Sequence, residues 1–421
     1  MKNWKSLSLI LICFMGMFSC AEDTGTVEVT YTEAKAIYFD IDAIRATPLE
    51  GDVHAIFNPG KIFIGDEFIL IGEEDEGIHV LDNTDRNNPV QTSFINIPGN
   101  KEYYVDNNTI YAESYYDMLK IDISNPNQPQ LISRSKNAIQ APLLNEDGLA
   151  ITSFDFETKT IMLDQNDDFY QEIVDDQIVY YDFALNVIPE SAVPTSFAGN
   201  SNGKGGTVNR VAKYEGYVYL ISNDIITVIN DNNFDNDVTK IPSEIDDMET
   251  IYPYKDKLFI GSRSAMVIYD VSTPNQPRKE YDFEHVTSCD PVLPHGDAAY
   301  VTLRSGQWDN CPGTMNALIT IDISDLDNPR QASEVTMSSP YGMIVIGNQL
   351  YVGEGKNGLS VFNINDANNP EFQRNYDDVE SYDIITDPSD DNILFIAGPD
   401  GLSQFIINAD QSLDLQSTIQ M

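Results

Sequence analysis

A short segment with a strand, an Asp or Asn, and a turn that ends in Pro recurs along this chain at nearly constant intervals. Its clearest copy, Ala265 to Phe283, opens with Met-Val-Ile-Tyr, whose β-branched and aromatic side chains favour a strand. Asp270 ends that strand, and the Ser-Thr-Pro-Asn-Gln-Pro segment after it has the composition of a turn. Two strands cannot bury a face alone, so the recurrence indicates units that share their cores with neighbours.

The residue aligned with Asp270 marks each copy of the repeat. We find eight such anchor positions, and in five of them a proline stands seven residues later. The anchors are Asp82, Asp122, Asp164, Asn230, Asp270, Asp322, Asn363 and Ile406, and the prolines are Pro89, Pro129, Pro277, Pro329 and Pro370. Agreement in both strand and turn indicates a true repeat.

Each interval of about 40 to 45 residues has room for about four short strands, which is typical of a blade of a β-propeller. The sequence therefore predicts an all-β propeller of eight four-stranded blades, with seven as the alternative because the third unit is degenerate. The predicted blades are residues 54–99, 100–139, 140–190, 191–245, 246–286, 287–337, 338–379 and 380–421. Two long intervals contain insertions, one between Asp164 and Asn230 and one from Arg304 to Asn316, and we expect both in loops on a face that binds.

The first 19 residues have the pattern of an export signal. Lys2 and Lys5 precede an apolar run, Leu7 to Phe18, that is too short to span a bilayer as a helix. Ser19 before Cys20 resembles the end of a bacterial lipoprotein signal, after which Cys20 carries the lipid; ordinary secretion is the alternative. We expect a lipid-anchored tether and lead-in over residues 20–53, with residues 21–36 as the polar tether, and a single propeller domain over residues 54–421.

The charge limits the possible partners. With 24 Lys and Arg against 67 Asp and Glu, the net charge of −43 argues against nucleic acid and anionic lipid surfaces as partners. Such acidity suits a solvated surface of a large β-protein. The alternative is structural Ca²⁺ in the Asp-rich turns Asp164 to Asp168 and Asp231 to Asp237, although neither follows a full calcium-loop pattern.

Two cysteines remain in the body, and in an exported protein Cys289 and Cys311 are expected to form a disulfide. The four histidines have no metal-binding spacing, so no metal ligands are assigned. Four residues are candidates for a ligand site: Asp290, His295 and Arg304 around the sixth unit, and Lys204 in the first insertion. No catalytic residues are assigned.

The units GIHVLDNTDRNNP, MLKIDISNPNQP, MVIYDVSTPNQP and LITIDISDLDNP resemble the LVIVD repeat of bacterial β-propeller lipoproteins. Segments outside the repeat, such as Phe94 to Asn100 and Gly203 to Thr207, resemble the lipoprotein branch of that family. The resemblance covers about residues 54–421 and departs at the third and eighth units. It implies a propeller fold and a location in the cell envelope, and it implies no catalytic residues.

We therefore expect a propeller anchored by lipid to the outer membrane, facing the periplasm or the cell surface, that acts as a binding or assembly scaffold. Its partner would be a protein or glycan, and its only contact with the membrane would be the anchor. The alternative is a propeller enzyme, a hydrolase or oxidoreductase, with its site at the central channel.

Overall fold

The computed structural model describes residues 26–167, 169–170, 178–181, 187–188, 209–222, 224–245, 248–262, 265–284, 291–305 and 315–421. The chain divides into two compact units, one of residues 1–37 and 153–192 and the other of residues 38–152 and 193–421. The described part of the chain contains no helix with the length and hydropathy that a membrane span requires.

The elements before the third blade are two strands with a short helix between them, two blades and a group of three strands. In chain order they are β1 (Thr26–Phe39), α1 (Ile41–Arg45), β2 (Glu50–Gly51); blade one, β3 (Pro59–Ile64), β4 (Phe68–Glu73), β5 (Gly77–Asp82), β6 (Val90–Asn96); blade two, β7 (Tyr103–Asp106), β8 (Thr109–Ser114), β9 (Asp117–Asp122), β10 (Gln130–Ser135); then β11 (Ala150–Asp164), β12 (Ile178–Tyr181) and β13 (Val187–Ile188).

The rest of the chain forms five more blades. They are blade three, β14 (Val211–Tyr214), β15 (Tyr217–Ser222), β16 (Ile225–Asn230), β17 (Val238–Pro242); blade four, β18 (Met248–Tyr254), β19 (Lys257–Ser262), β20 (Ala265–Asp270), β21 (Arg278–Glu284); blade five, β22 (Val292–His295), β23 (Ala298–Leu303), β24 (Ala317–Asp322), β25 (Arg330–Thr336); blade six, β26 (Met343–Ile346), β27 (Gln349–Gly353), β28 (Leu359–Asn363), β29 (Glu371–Tyr376); and blade seven, β30 (Asp383–Asp387), β31 (Asp390–Gly398), β32 (Gly401–Ile407), β33 (Leu413–Ile419).

The larger unit is a seven-bladed β-propeller. Each blade is an antiparallel meander of four consecutive strands, and blade one gains β2 on its outer strand β6. The first strands of neighbouring blades contact one another, from β7 through β14, β18, β22 and β26 to β30 and then back to β3. These first strands therefore line the centre of the ring, and the fourth strands lie at its periphery.

Seven hydrophobic clusters join the blades of the described structure, one between each adjacent pair. The cluster that closes the ring packs Ile69 and Ile71 of blade one against Phe395 and Leu402 of blade seven. Because each blade is built from its own consecutive strands, this closure depends on side chains and not on a shared strand. Burial of apolar surface between blades is thus the main stabilising contribution.

The anchor residues of the repeat act in the turn between the third and fourth strands. Asp122 accepts hydrogen bonds from the backbone N–H and the hydroxyl of Ser124, both at 2.7 Å. Asp82, Asp270 and Asp322 bind the residue two positions later in the same way, and Asn230 and Asn363 accept from a backbone N–H there. Such Asx turns are local, so a short sequence specifies them.

The prolines seven residues after the anchors stand directly before the fourth strands, which begin at Val90, Gln130, Arg278, Arg330 and Glu371. Proline donates no backbone hydrogen bond, which suits the first position of an edge strand. We define the end of the ring with these anchor turns as the anchor-turn face. The opposite end, where first strands begin and second strands end, is the insertion face.

The eight-blade prediction is wrong and the seven-blade alternative is confirmed. The third predicted unit, residues 140–190, forms no blade: its strands β11, β12 and β13 join β1 in the order β11-β1-β12-β13. Asp164 does form a turn like that of an anchor, since its carboxylate accepts the N–H of Asn166 at 2.9 Å. The turn was interpreted correctly, but the strands beside it pair with a segment more than 100 residues away.

The smaller unit contains that four-stranded sheet. Strand β1 pairs in parallel with β12, from Thr32 opposite Ile178 to Lys35 opposite Tyr181. Inside the unit, Tyr31 packs edge-on against Phe169, and Glu33 binds Lys159. Strand β1 covers most of the segment that we interpreted as a tether. Its alternating exposure follows the period of two expected of a strand, which the acidic composition of the segment obscured.

Candidate functional site

Four charged side chains from three neighbouring blades lie together near the insertion face. This charged cluster consists of Lys61 on β3, Glu102 just before β7, Glu113 on β8 and Arg210 just before β14. Lys61, Glu102 and Glu113 are buried, with exposed fractions of 8%, 7% and 3%. Burying charge is costly unless it is paired, so the pairing of this cluster determines what it can do.

The cluster is paired across the blades. Lys61 Nζ lies 2.5 Å from Asn209 Oδ1 and 3.9 Å from Glu102 Oε1. Arg210 Nη2 lies 3.4 Å from Glu113 Oε2. Asn100 donates from its amide to the carbonyl oxygens of residues 102 and 113, both at 3.0 Å, which fixes the backbone that carries both carboxylates.

Burial shifts the pKa of each buried member of the cluster toward its neutral form. It lowers the pKa of Lys61, against the attraction of Glu102, and it raises the pKa of Glu102 and of Glu113 against the nearby cations. The carboxylate of Glu113 raises the pKa of Arg210, which stays charged. The ion pairs of the charged cluster therefore connect blades one, two and three.

The two described candidates of blade five lie at opposite ends of one hairpin. His295 ends β22 at the anchor-turn face and is exposed, whereas Arg304 follows β23 at the insertion face and is buried. The guanidinium of Arg304 lies over the ring of Tyr341, 4.1 Å from its centroid. The structure therefore does not bring His295 and Arg304 together. Asp290, Lys204, Cys20, Cys289 and Cys311 lie outside the described residues.

The two Asp-rich turns differ in their contacts. In the first, Asp164 accepts hydrogen bonds from the backbone and side chain of Asn166, and Asp168 lies outside the described residues. In the second, Asp231 forms ion pairs with Lys120 at 2.6 Å and Lys213 at 2.9 Å. The carboxylate of Asp231 is therefore paired with two lysines. Structural Ca²⁺ at the two turns stays a prediction.

A second polar site lies in blade one, around Glu73 at the end of β4. Its carboxylate accepts the backbone N–H of Phe57 at 3.0 Å and of Asn58 at 2.6 Å, so it fixes the chain that enters β3. Its Oε2 also lies 3.0 Å from Nε2 of the buried His79. His54, in the entering segment, packs edge-on against His79 with ring centroids 4.9 Å apart.

Sequence reasoning found neither the charged cluster nor the site at Glu73. His54 and His79 are 25 residues apart, and no motif spans that distance. The one usable signal was position within the repeat, because Glu73 ends the second strand of its blade. The acidic residues there were interpreted only as part of a solvated surface.

A comparison with family profiles confirms the LVIVD repeat in two of the blades. A family profile described as the LVIVD repeat matches residues 116–136 and 342–378, which include third strands, anchor turns and fourth strands of blades two and six. The chain carries LVIVD repeats. The repeat residues Asp122 and Pro129 are thus parts of the turn that joins the outer strands of an LVIVD blade, as the Asp122 contacts indicate.

Two solved structures have a fold similar to that of this LVIVD propeller. The WD40 domain of Neurospora crassa Pan2 is 9% identical, with a TM-score of 0.51, covering 89% of this chain and 93% of that chain. A functionally unknown protein from Desulfotomaculum acetoxidans is 10% identical, with a TM-score of 0.50 over 84% and 97% of the two chains. BamB from Moraxella catarrhalis, 10% identical over 82% and 84%, has a TM-score of 0.47. A search of curated proteins finds no match.

Proposed function

We propose that this LVIVD propeller is a binding or assembly scaffold of the bacterial cell envelope. It is held at the outer membrane by a lipid on Cys20, and it engages a protein or glycan through the loops of the insertion face. The observation that carries this proposal is that both insertions leave the propeller at that same face.

The described residues beside each insertion support this placement. The first insertion lies within the segment that leaves the propeller after β10 and returns at Asn209, before β14, and this segment joins a fourth strand to the next first strand. The second leaves at Ser305, after β23, and returns at Met315, before β24, and so it joins a second strand to a third. In an antiparallel meander both types of connection lie at one end. Long loops on a rigid scaffold are where binding residues concentrate.

The pairing of the charged cluster also favours recognition over chemistry. A catalytic group at the channel would need to present an atom to a substrate. Here Lys61, Glu102, Glu113 and Arg210 contact partners within the protein and are largely buried. Their contacts join blades one, two and three. The cluster thus serves to hold the face on which the loops stand.

The chemistry of the partner follows from the charge. Acidic residues exceed basic ones by 43, and many of the described cations are occupied in internal ion pairs, such as those of Arg45 with Asp117 and Lys120 with Asp231. The exposed carboxylates therefore dominate the field around the propeller. A partner with a basic surface is favoured, and its association should weaken as salt rises.

Crosslinking in intact cells tests the scaffold, followed by purification of the anchored protein and identification of what it carries. An envelope protein or glycan recovered in fixed ratio supports the proposal. A purified protein that turns over hydrolase or oxidoreductase substrates at its channel would replace it with the enzyme alternative. For the anchor, Cys20→Ala should release the protein from membranes washed with high salt, and retention would contradict lipidation.

A further inference from the structure

Within the described structure, blade one contains three side chains that could together bind a metal ion. His54, Glu73 and His79 each offer one ligand atom, and these three atoms lie within 4.8 Å of one another. His79 is fully buried, Glu73 is 3% exposed, and His54 is partly buried. Two imidazoles and a carboxylate form a donor set that suits zinc and similar divalent ions.

Blade six shows which contacts a blade makes at the position of Glu73 when no histidines are present. Glu354 is the counterpart of Glu73, and its carboxylate accepts the N–H of Ser338 at 2.8 Å and the hydroxyl of Ser360 at 2.5 Å. By strand register, Ser338 corresponds to Phe57 and Ser360 to His79. A serine hydroxyl is therefore sufficient for the structural contact, and blade one has the ring of His79 in its place, with the ring of His54 beside it.

Both rings have a contact that can set the required tautomer. His54 Nδ1 lies 2.8 Å from the carbonyl oxygen of Asp52, so it carries the proton and leaves a lone pair on Nε2. That Nε2 atom is buried without a hydrogen-bond partner. It lies 3.4 Å from the carboxylate of Glu76, which adds negative charge beside the site. A carbonyl that holds the second ring nitrogen is the usual support of a ligating histidine.

His79 has the corresponding support from Gln91. The amide nitrogen of Gln91 lies 2.7 Å from His79 Nδ1, and a half-turn of the amide would bring its oxygen to the same place. When the amide oxygen accepts from Nδ1–H, the Nε2 lone pair is free to bind an ion beside Glu73. Gln91 also lines a surface cleft together with Ala55 and Ile56.

We propose that His54, Glu73 and His79 bind one divalent transition-metal ion of the zinc type, with the fourth position left for water or an exogenous ligand. The backbone N–H groups of Phe57 and Asn58 orient the carboxylate, and Gln91 and the carbonyl of Asp52 orient the two rings. The proposal is independent of the scaffold function, since it assigns no partner.

Metal binding to the full-length protein in detergent tests this site. After treatment with a chelator, the protein is titrated with Zn²⁺ and with Co²⁺ in excess Mg²⁺, which occupies oxygen-only sites on so acidic a chain. We expect one tight equivalent per chain, a Co²⁺ absorption spectrum typical of nitrogen ligands, and a metal-dependent rise in the melting temperature.

The matched variant is His79→Ser, which copies the hydroxyl of blade six. It should fold without metal and lose about 100-fold or more in affinity, and Gln91→Leu should lose about 10-fold. His295→Ala, an exposed histidine at the anchor-turn face, should bind as the wild type does. If His79→Ser does not fold, the Co²⁺ spectrum of His54→Ala tests the site instead, and it should lose the absorption typical of nitrogen ligands. Absence of a tight equivalent in the wild type, or binding unchanged in both His79→Ser and His54→Ala, would overturn the proposal.

Discussion

Glu73 of blade one and Glu354 of blade six occupy the same position in their blades and contact the same two parts of them. Phe68 pairs with Asp82 and Gln349 with Asn363, and counting from these pairs places both glutamates five residues later. Each accepts a backbone N–H from the segment that enters the first strand, and each contacts the third strand. Gly77 and Gly358, which follow at matching positions, have φ angles of +150° and +102° that side chains rarely adopt.

We first predict that this glutamate stabilises its blade. Glu354→Ala leaves the N–H of Ser338 and the hydroxyl of Ser360 without their acceptor, and it should lower the free energy of unfolding by about 2 kcal/mol. Urea unfolding measures this value. The control is Glu371→Ala, an exposed position on the outer strand of the same blade, which should change little. Equal losses in the two variants would contradict the assigned role.

The second prediction concerns acid. The hydroxyl of Ser324, its backbone N–H and Arg330 together lower the pKa of Asp322 to about 2. An acid whose pKa is lowered on folding adds stability above its unfolded value, and that stability is lost as pH falls toward the folded value. The wild type should therefore lose stability below about pH 4.

Asp322→Asn isolates this contribution. An Asn still accepts the backbone N–H, as Asn363 does, but it has no charge for Arg330. The variant should be less stable at pH 7, and the difference should shrink between about pH 4 and pH 2. Thermal unfolding across that range measures it, with the exposed Asp327→Asn as the control. A difference that stays constant with pH would refute the prediction.

The third prediction concerns closure of the ring. Arg86 of blade one forms an ion pair with Asp387 of blade seven, whose side chain is fully buried. Arg86→Ala should cost about 2 kcal/mol, because a buried carboxylate loses its cation. Hydrogen exchange should then rise in β3 and β31. Arg330→Ala, which removes an exposed arginine paired within its own blade, should leave exchange at the closure unchanged; a rise in both variants would argue against a specific closure contact.

The fourth prediction tests the charged cluster. Lys61→Met leaves Glu102 buried without its cation and should cost about 3 kcal/mol, whereas Lys61→Met with Glu102→Gln should return to within about 1 kcal/mol of the wild type. Urea unfolding measures both. If the propeller is a scaffold and the cluster is structural, the double variant should also still capture the partner. Loss of partner capture by a stable double variant would mean that the charges act directly in function.

The sequence predicted what is local and missed what depends on distant pairing. Asp122 and Pro129 specify a turn within a dozen residues, so the repeat and the propeller could be predicted from them. Asp164 forms the same local turn, yet its strand, β11, pairs with β1. No pattern in the residues near Asp164 predicts that pairing. The site of His54, Glu73 and His79 is assembled by strand register within blade one, which a single sequence does not give to one-residue accuracy.

The most direct test of the scaffold account is photo-crosslinking in intact cells from single positions on the two faces. Lys356 and Asp400 are exposed between second and third strands at the insertion face, and Glu67 and Asn108 are exposed between first and second strands at the anchor-turn face. The account predicts that the first pair crosslinks to one common partner and that the second pair does not. Equal crosslinking from both faces, or none from the insertion face, would contradict it.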